Sequence, residues 1–286
     1  MYINAIAHYV PETVIPNAYF EPVNGLTHEW IETRTGIRER RKAAASENTN
    51  TLAISALERL VSQLPYATDK VNLIVGATYS PYDTVATLAH AVQHHLDLPP
   101  VPAVSISSAC SSLLNAVEIV EGYFATGKAD HAIVVAAEHN TAFSNETDKV
   151  AGHLWGDGAV AIAFSKEPQS PNDLTVKALT TAGAASVGKG MEGVVLRPQN
   201  GGIHMPHGRD VFIHAVQYMS RISKELLCQQ GYSLDQVRYF IPHQANFRIS
   251  KKVAEELELP IEKVVSNIQY LGNTGCAGCG IGLSEK

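Results

Sequence analysis

The chain has 286 residues, 45% apolar and 17% charged, a length that fits one large α/β domain or two fused halves. Such a low charged fraction indicates a large interior or a surface buried against another subunit, so we expect an oligomer. The formal net charge of −6, without a basic tail or stripe, excludes nucleic acid and anionic membranes as main partners.

Cysteine usage and the N-terminus indicate the compartment. Four cysteines in a chain this long do not make a disulfide framework, which indicates a reducing environment. Residues 1–14 lack the basic start and apolar stretch of a signal peptide, and the longest apolar runs are too short to cross a bilayer. We therefore expect a soluble, cytoplasmic protein.

Short β-branched runs alternate with amphipathic patterns along the chain, which predicts an α/β fold with mostly buried strands. The predicted helices cover residues 51–64, 112–126, 211–229 and 249–257. The predicted strands cover residues 72–78, 102–107, 131–138, 159–165 and 237–243.

The two halves of the chain repeat one order of elements. Val71 lies 39 positions before Cys110, and Val237 lies 36 positions before Asn273, each in an apolar run that leads through a helix to a small-residue turn. This spacing predicts two halves, residues 1–166 and 167–286, related by a pseudo-twofold axis near which the two turns meet. The alternative is coincidence between two α/β segments.

Cys110 is a candidate nucleophile, because it follows a buried-strand run and directly precedes a helical pattern. A thiol at a helix N-terminus is favoured as the thiolate, which is the form that attacks acyl groups. The alternative is a buried structural cysteine.

His243 and Asn273 are candidates of the same kind. His243 ends a predicted strand in IPHQANFRIS, beside polar residues and before a helix. Asn273 lies in LGNTG, where glycines let the backbone bend and expose the amide. A hydrogen-bonded structural histidine and an ordinary turn asparagine remain the alternatives.

Six segments together resemble the ketoacyl-synthase III branch of the thiolase superfamily, the condensing enzymes that prime fatty-acid synthesis. They are WIETRTGIRERR (30–41), ACSS (109–112), WGDGAVA (155–161), GRDVF (208–212), PHQANFRIS (242–250) and GNTG (272–275). The resemblance covers essentially the whole chain. It implies a thiolase-like fold with duplicated α/β halves in layered αβαβα order.

The resemblance also implies a mechanism. Cys110, His243 and Asn273 match the family's Cys-His-Asn triad, in which the cysteine takes an acyl group from acyl-CoA. The histidine and asparagine then stabilise the enolate formed when a malonyl thioester on acyl carrier protein loses CO₂. The product is a 3-oxoacyl thioester, and neither a metal nor a redox cofactor is required.

Substrate-binding positions follow from the same resemblance. Trp30 and Arg34 match residues at the CoA nucleotide end, and Val85 falls where the family often has a bulky aromatic that closes the acyl pocket at the dimer interface. The walls of the pantetheine tunnel are matched by Gly208, Phe212 and Asn246. A basic patch that would dock acyl carrier protein is formed by Arg248 with Lys251 and Lys252. The patch is equally compatible with a solvated helix face, since Glu255 and Glu256 follow.

Three further motifs resemble known binding sites, but each lacks a part that such a site requires. Residues 188–193 match the G-x-G-x-x-G dinucleotide pattern but lead into VVLRP instead of a helix. Cys276 and Cys279 form one CxxC without a second ligand pair, and His90 and His94 lack the glutamate of a zinc-protease helix.

Two alternatives to the housekeeping condensation stay open. One is a secondary-metabolite relative that joins two acyl chains or transfers one to an oxygen or nitrogen nucleophile; the other is a catalytically silent subunit of a synthase heterodimer. The second repeat stops within its helix at Lys286, so we also expect a further C-terminal hairpin in a longer chain.

Overall fold

The computed structural model describes residues 1–286. Its strands, in chain order, are β1 (Tyr2–Tyr9), β2 (Thr13–Pro16), β3 (Glu39–Lys42), β4 (Leu73–Ala77), β5 (Ala103–Ile106), β6 (His131–Glu138), β7 (Gly158–Ser165), β8 (Leu174–Thr175), β9 (Val195–Arg197) and β10 (Gly202–His204). Its α-helices are α1 (Phe20–Asn24), α2 (His28–Thr35), α3 (Thr49–Val61), α4 (Leu88–His95), α5 (Ser112–Ala125), α6 (Gly208–Gln229), α7 (Phe247–Glu256), α8 (Ile268–Leu271) and α9 (Gly278–Ser284).

One six-stranded mixed sheet forms the centre, in the order β5-β4-β6-β7-β1-β8. Strand β4 is parallel to both β5 and β6, whereas β6, β7, β1 and β8 pair antiparallel in succession. Two small antiparallel ladders, β2 with β3 and β9 with β10, lie outside it.

Helices cover both faces of this sheet. Because successive strand residues point to opposite faces, Val75 packs with Leu113 of α5 and Ile281 of α9, while Ile74 packs with Leu57 of α3 and its neighbours. The strands are buried on both sides, and their near-continuous apolar sequences follow from that burial. Helix α9 therefore places part of the second predicted half on the sheet of the first.

Most predicted elements are confirmed to within three positions, but residues 237–243 do not form a strand. Phe240 makes a single parallel bridge with Val264, in which the Phe240 N–H donates to the Lys263 carbonyl over 2.8 Å. Pro242 has no N–H to donate, and only residues 263–265 lie alongside. The second half thus lacks a sheet equivalent to that of the first.

Helices α6 and α7 pack against each other beside the sheet. Phe212, Val216 and Met219 of α6 contact the cluster formed by Ile249 and Val253 of α7. No helix of the chain has the length and hydrophobicity needed to cross a membrane.

Candidate active site

Cys110 lies in a tight turn between β5 and α5. Ala109 has a left-handed backbone with φ of 53°, and the Ser112 hydroxyl closes the turn by accepting the Ser108 N–H over 2.9 Å and donating to the Ala109 carbonyl. Helix α5 begins two residues after Cys110, behind Ser111 as its N-cap residue. The turn therefore holds a half-buried thiol just outside the start of the helix.

The Cys110 thiol is not ionised by its position at the helix alone. Burial, followed by the charges of Glu138 and the neighbouring Cys279, raises the pKa of this thiol to about 12, although a hydrogen bond from a backbone N–H acts in the opposite direction. The sequence-based expectation of a thiolate is therefore wrong for the chain without substrate, because burial outweighs the helix N-terminus.

His243 lies in an irregular segment that precedes α7. Its ring is partly buried, and its Nδ1 atom is enclosed without a hydrogen-bond partner in the chain. Burial lowers the pKa of His243 to about 4, so the imidazole is neutral at pH 7. A neutral imidazole carries one N–H donor and does not supply a proton as an acid would.

Asn273 is 2% exposed and held by the backbone on both sides. Its N–H donates to the Leu154 carbonyl over 2.8 Å, and its own carbonyl accepts the Gly156 N–H over 3.0 Å. The side-chain Oδ1 accepts the Gly275 N–H over 3.0 Å. Since the oxygen is committed to its own turn, the amide is oriented and its Nδ2 is the group available to a substrate.

The turn of Asn273, residues 272–275, connects the surroundings of the other two residues. On one side Gly275 lies against the Glu138 side chain, which acts electrostatically on Cys110. On the other side Gly278 lies against Thr274 and Gln244, and Gln244 directly follows His243. The three candidate residues therefore occupy adjacent parts of one site.

Trp30, Arg34 and Asn246 come together at α2. The Arg34 guanidinium lies 4.4 Å from the centre of the Trp30 ring, and Asn246 Nδ2 donates to the Arg34 carbonyl over 3.1 Å. Asn246 also caps α7, since its Oδ1 accepts the Arg248 N–H over 2.9 Å. Its side chain is thus engaged in joining α2 to α7.

Gly208, Phe212 and Arg248 line one groove between α6 and α7, together with Arg209 and Ile213. The groove has a volume of about 450 Å³ and is open to solvent. Three of the sequence-predicted substrate positions are therefore brought together on one surface.

Val85 stands apart from this groove. Its side chain is 85% exposed, in the loop before α4, where the Asp83 carboxylate accepts the Val85 N–H over 2.7 Å. It is not among the residues that line the groove.

The first cysteine of the CxxC pair packs into the protein core, and the second, Cys279, is partly buried. Cys276 is 2% exposed, and its Sγ donates to the Ala77 carbonyl over 3.6 Å. No three His, Cys, Asp or Glu side chains of the chain form a group that would hold a metal ion.

Sequence reasoning missed Glu138, which is completely buried at the end of β6. The signal was present, because a carboxylate closing the apolar run HAIVVAA is unusual in a strand buried on both faces.

Comparison with known proteins decides the family. Residues 104–187 match the family model of 3-oxoacyl-[acyl-carrier-protein] synthase III, and residues 227–286 match the model of its C-terminal part. The beta-ketoacyl-[acyl-carrier-protein] synthase III 2 of Deinococcus radiodurans is 33% identical over 99% of this chain and 85% of its own length. The chain belongs to the beta-ketoacyl-[acyl-carrier-protein] synthase III family.

Solved structures of this synthase III family share the fold. The Aquifex aeolicus enzyme superposes with a TM-score of 0.90 at 33% identity, covering 99% of this chain and 89% of the other. The priming beta-ketosynthase of the R1128 polyketide pathway superposes with a TM-score of 0.85 at 26% identity, covering 99% of this chain and 86% of the other. The predicted thiolase-like fold is thereby confirmed. Similarity of about 30% identity over nearly the full length assigns this synthase III chain to the decarboxylating Claisen condensation of the family.

Proposed function

We propose that Cys110, His243 and Asn273 are the catalytic triad of this condensation. The observation that carries the proposal is the surroundings of the Asn273 turn. Gly275 lies against Glu138, which acts electrostatically on Cys110, and Gly278 lies against both Thr274 of the turn and Gln244, the neighbour of His243. The same three positions carry the sequence resemblance to the family.

Cys110 takes the acyl group in the first step. Its Sγ forms a bond to the thioester carbonyl carbon of an acyl-CoA, and the bond from that carbon to the CoA sulfur breaks. Because Cys110 is a thiol before the reaction, its proton leaves with the CoA sulfur, which departs as CoA–SH.

His243 and Asn273 act in the second step. A malonyl thioester loses CO₂, and the electron pair of the broken bond becomes an enolate whose oxygen accepts hydrogen bonds from the imidazole N–H and Asn273 Nδ2. The enolate carbon attacks the acyl-Cys110 carbonyl and forms a carbon–carbon bond, and the bond to the Cys110 sulfur breaks. The sulfur leaves as a thiolate and takes up a proton from solvent, and the product is a 3-oxoacyl thioester. A neutral His243 suits this role because an imidazolium would protonate the carbanion.

The groove between α6 and α7 is the proposed entrance for the thioester substrates. Arg209 and Arg248 line it, and neither forms an ion pair within the chain, so both are available to phosphate groups. The Trp30 ring stacked with Arg34 would hold the nucleotide end of CoA on the neighbouring helix.

Acyl carrier protein is the proposed donor of the malonyl group, and its docking surface includes Arg248 and Lys251 on α7. Both are exposed. Lys252 contributes less, because its ammonium already pairs with Glu255 at 3.2 Å and Glu256 at 3.4 Å. An acidic carrier would be steered by the unpaired cations.

We also propose a homodimer formed through the edge of the central sheet. Strand β5 pairs only with β4, which leaves its other edge unpaired. Nearby loop and helix positions expose large apolar side chains, with Tyr82 at 66%, Val85 at 85% and Leu114 at 46%. Sedimentation should give twice the chain mass of 30.8 kDa; a mass that stays at the monomer value at micromolar concentration would contradict the dimer.

Intact mass spectrometry tests the reaction. The protein is incubated with a panel of acyl-CoAs, and we expect an acyl adduct that is absent in Cys110→Ala. Addition of malonyl-acyl carrier protein should then remove the adduct and release CO₂. If none of the acyl-CoA donors gives an adduct, the proposal is overturned and the silent-subunit alternative is favoured.

A secondary-metabolite role is the second candidate, supported by the exposed Val85 and by the likeness to a polyketide priming ketosynthase. A small side chain at the pocket entrance would admit longer or branched acyl groups. Acylation confined to acetyl-CoA would exclude this candidate, and transfer of the acyl group without CO₂ release would favour the acyl-transferring variant.

A further inference from the structure

Asn140 is a buried amide that the proposed reaction does not use. It lies two positions after β6 and is 0% exposed. Its Nδ2 donates to the Gly156 carbonyl over 3.0 Å and to the Asn273 carbonyl over 3.1 Å. Carbonyl oxygens only accept hydrogen bonds, so the amide nitrogen and not the amide oxygen faces them. One side chain therefore joins the WGDG segment to the turn of Asn273.

The two segments that Asn140 joins also pair directly. The Asn273 N–H donates to the Leu154 carbonyl over 2.8 Å, and the Asn273 carbonyl accepts the Gly156 N–H over 3.0 Å. These bonds make an isolated parallel bridge between Trp155 and Asn273. A carbonyl oxygen has two lone pairs, and Asn140 supplies the second donor to that of Asn273. Because no ladder extends the bridge, the Asn140 amide is a large part of what holds the two segments in register.

The backbone on both sides of Asn140 is itself held in place. Before it, the His139 N–H donates to Ser80 Oγ over 2.9 Å. After it, the Thr141 N–H donates to Asp157 Oδ1 over 2.9 Å, and Asp157 belongs to the WGDG segment. The Asn140 side chain is therefore directed at the two carbonyls from a fixed backbone.

The position of the Asn273 backbone decides where its side chain is presented. Oδ1 accepts the Gly275 N–H over 3.0 Å, so the side-chain amide is fixed to its own turn, and a shift of the turn moves Nδ2 with it. A donor to a developing oxyanion acts at about 2.7–3.1 Å from that oxygen. A displacement of about 1 Å at a reacting centre can cost about 10²-fold in rate.

We propose that Asn140 is a positioning residue for the decarboxylating step, whose N–H donors hold the turn of Asn273 against the WGDG segment and thereby place Asn273 Nδ2. The inference rests on the proposed role of Asn273 as a donor to the enolate. Cys110 lies in a different turn, between β5 and α5, and the hydrogen bonds of the Asn140 side chain do not reach it. Acylation of Cys110 should therefore be independent of Asn140, whereas release of CO₂ should depend on it.

Asn140→Ala tests this division between the two steps. The rate of acyl-adduct formation on Cys110, measured by intact mass spectrometry, should stay within about twofold of the wild type. Single-turnover release of ¹⁴CO₂ from malonyl-acyl carrier protein by the acylated enzyme should slow by about 10- to 100-fold, because Asn273 Nδ2 is displaced. Release of CO₂ at the wild-type rate, or an equal loss in both steps, would overturn the proposal.

Asn24→Ala is the matched control, because Asn24 is another buried asparagine that holds backbone groups. It is 6% exposed at the end of α1, where its Nδ2 donates to the Glu146 carbonyl over 2.9 Å and its Oδ1 accepts the Leu26 N–H over 3.1 Å. This variant loses buried hydrogen bonds outside the turn of Asn273, so both steps should keep their wild-type rates. Equal slowing of CO₂ release in Asn24→Ala would trace the effect to a general loss of stability and refute the positioning role.

A double-mutant cycle tests whether Asn140 acts through Asn273. In the Asn273→Asp background, Asn140→Ala should slow CO₂ release by less than about twofold more, because the donor that it positions is already absent. A further loss as large as in the wild-type background would show that the two residues act independently, contrary to the proposal.

Asn140→Ser covers the case in which Asn140→Ala does not fold. Its hydroxyl keeps one donor in place of two, so CO₂ release should still slow by at least about threefold with acylation unchanged. Wild-type CO₂ release in this variant would contradict the proposal.

The same measurements separate this inference from the proposed function. Slower CO₂ release in Asn273→Asp, without slowing in Asn140→Ala, would overturn the positioning role alone and leave the proposed triad intact. Wild-type CO₂ release in Asn273→Asp would overturn the proposed role of Asn273 and the inference with it.

Discussion

At the scale of single residues, the two polar atoms of the Asn273 amide differ in their contacts, and the proposed catalytic role falls to the one without a partner. Oδ1 accepts the Gly275 N–H over 3.0 Å, and Nδ2 has no acceptor in the chain. An aspartate would retain the acceptor and lose the donor, so it separates the two roles.

We expect Asn273→Asp to fold and to form the acyl adduct on Cys110, but to lose about 10²- to 10³-fold in the rate of CO₂ release, as for removal of an oxyanion donor. Adduct formation and ¹⁴CO₂ release are measured on the same preparation. Unchanged CO₂ release would show that Asn273 does not stabilise the enolate.

At the scale of elements, two glycine turns pack face to face. A Cβ atom on Gly156 would overlap the Leu271 carbonyl oxygen and lie 3.1 Å from its carbon, and one on Gly272 would lie 2.8 Å from Arg40 Cβ. The WGDG and LGNTG segments therefore approach backbone to backbone. This contact sets the position from which Asn273 is presented.

Gly156→Ala should destabilise the protein by about 2 kcal/mol or more, because the backbones must separate. Gly122→Ala is the matched control, since Gly122 is an exposed position of α5 and nothing lies within 4 Å of its added Cβ. That variant should be stabilised by about 0.5–1 kcal/mol through helix propensity. Urea unfolding measures both; equal effects would contradict the close packing of the two turns.

Helix α7 offers a matched pair of lysines on its exposed surface. Lys251→Ala should raise KM for malonyl-acyl carrier protein by about threefold, with a weaker effect at high salt. Lys252→Ala should change it less, since Lys252 is paired with Glu255 and Glu256. Steady-state kinetics with carrier protein at two salt concentrations measures the difference, and equal KM changes would place the docking surface elsewhere.

At the scale of the whole molecule, buried groups set the response of stability to acid. Burial lowers the pKa of both His153 and His243 to about 4, below the usual value of 6.5. Between pH 6.5 and 4 the unfolded chain binds more protons at these sites, so their contribution to stability is lost as pH falls. Glu138 acts in the opposite direction, because its pKa is raised from 4.5 to about 7.

We expect the free energy of unfolding of His153→Asn to fall less steeply than that of the wild type between pH 6 and 4.5. The slope should differ by up to about 1.4 kcal/mol per pH unit, because one proton fewer is taken up on unfolding. Urea unfolding at several pH values gives the slope. A slope equal to that of the wild type would mean that His153 is charged in the folded protein.

Much of the fold and site follows from local sequence. The runs 72–78, 131–138 and 159–165 are apolar on both faces and form β4, β6 and β7, since only a strand covered on both sides has such a sequence. The residues proposed as the triad could be predicted from the sequence, because each lies at a turn or strand end among small or polar neighbours. Residues 237–243 have the same apolar character, but a strand also needs neighbours for its N–H and C=O groups, and only one bridge is made.

The sequence by itself determined the order of elements, the family and the residues proposed for acyl chemistry, because these depend on residue type and spacing along the chain. The tertiary structure alone decided the ionisation of those residues. A helix start next to Cys110 predicts a thiolate, whereas burial and the charge of Glu138, 28 positions further along the chain, make it a thiol. Solvation and electrostatics depend on what surrounds a group in space, and only the folded chain brings those surroundings together.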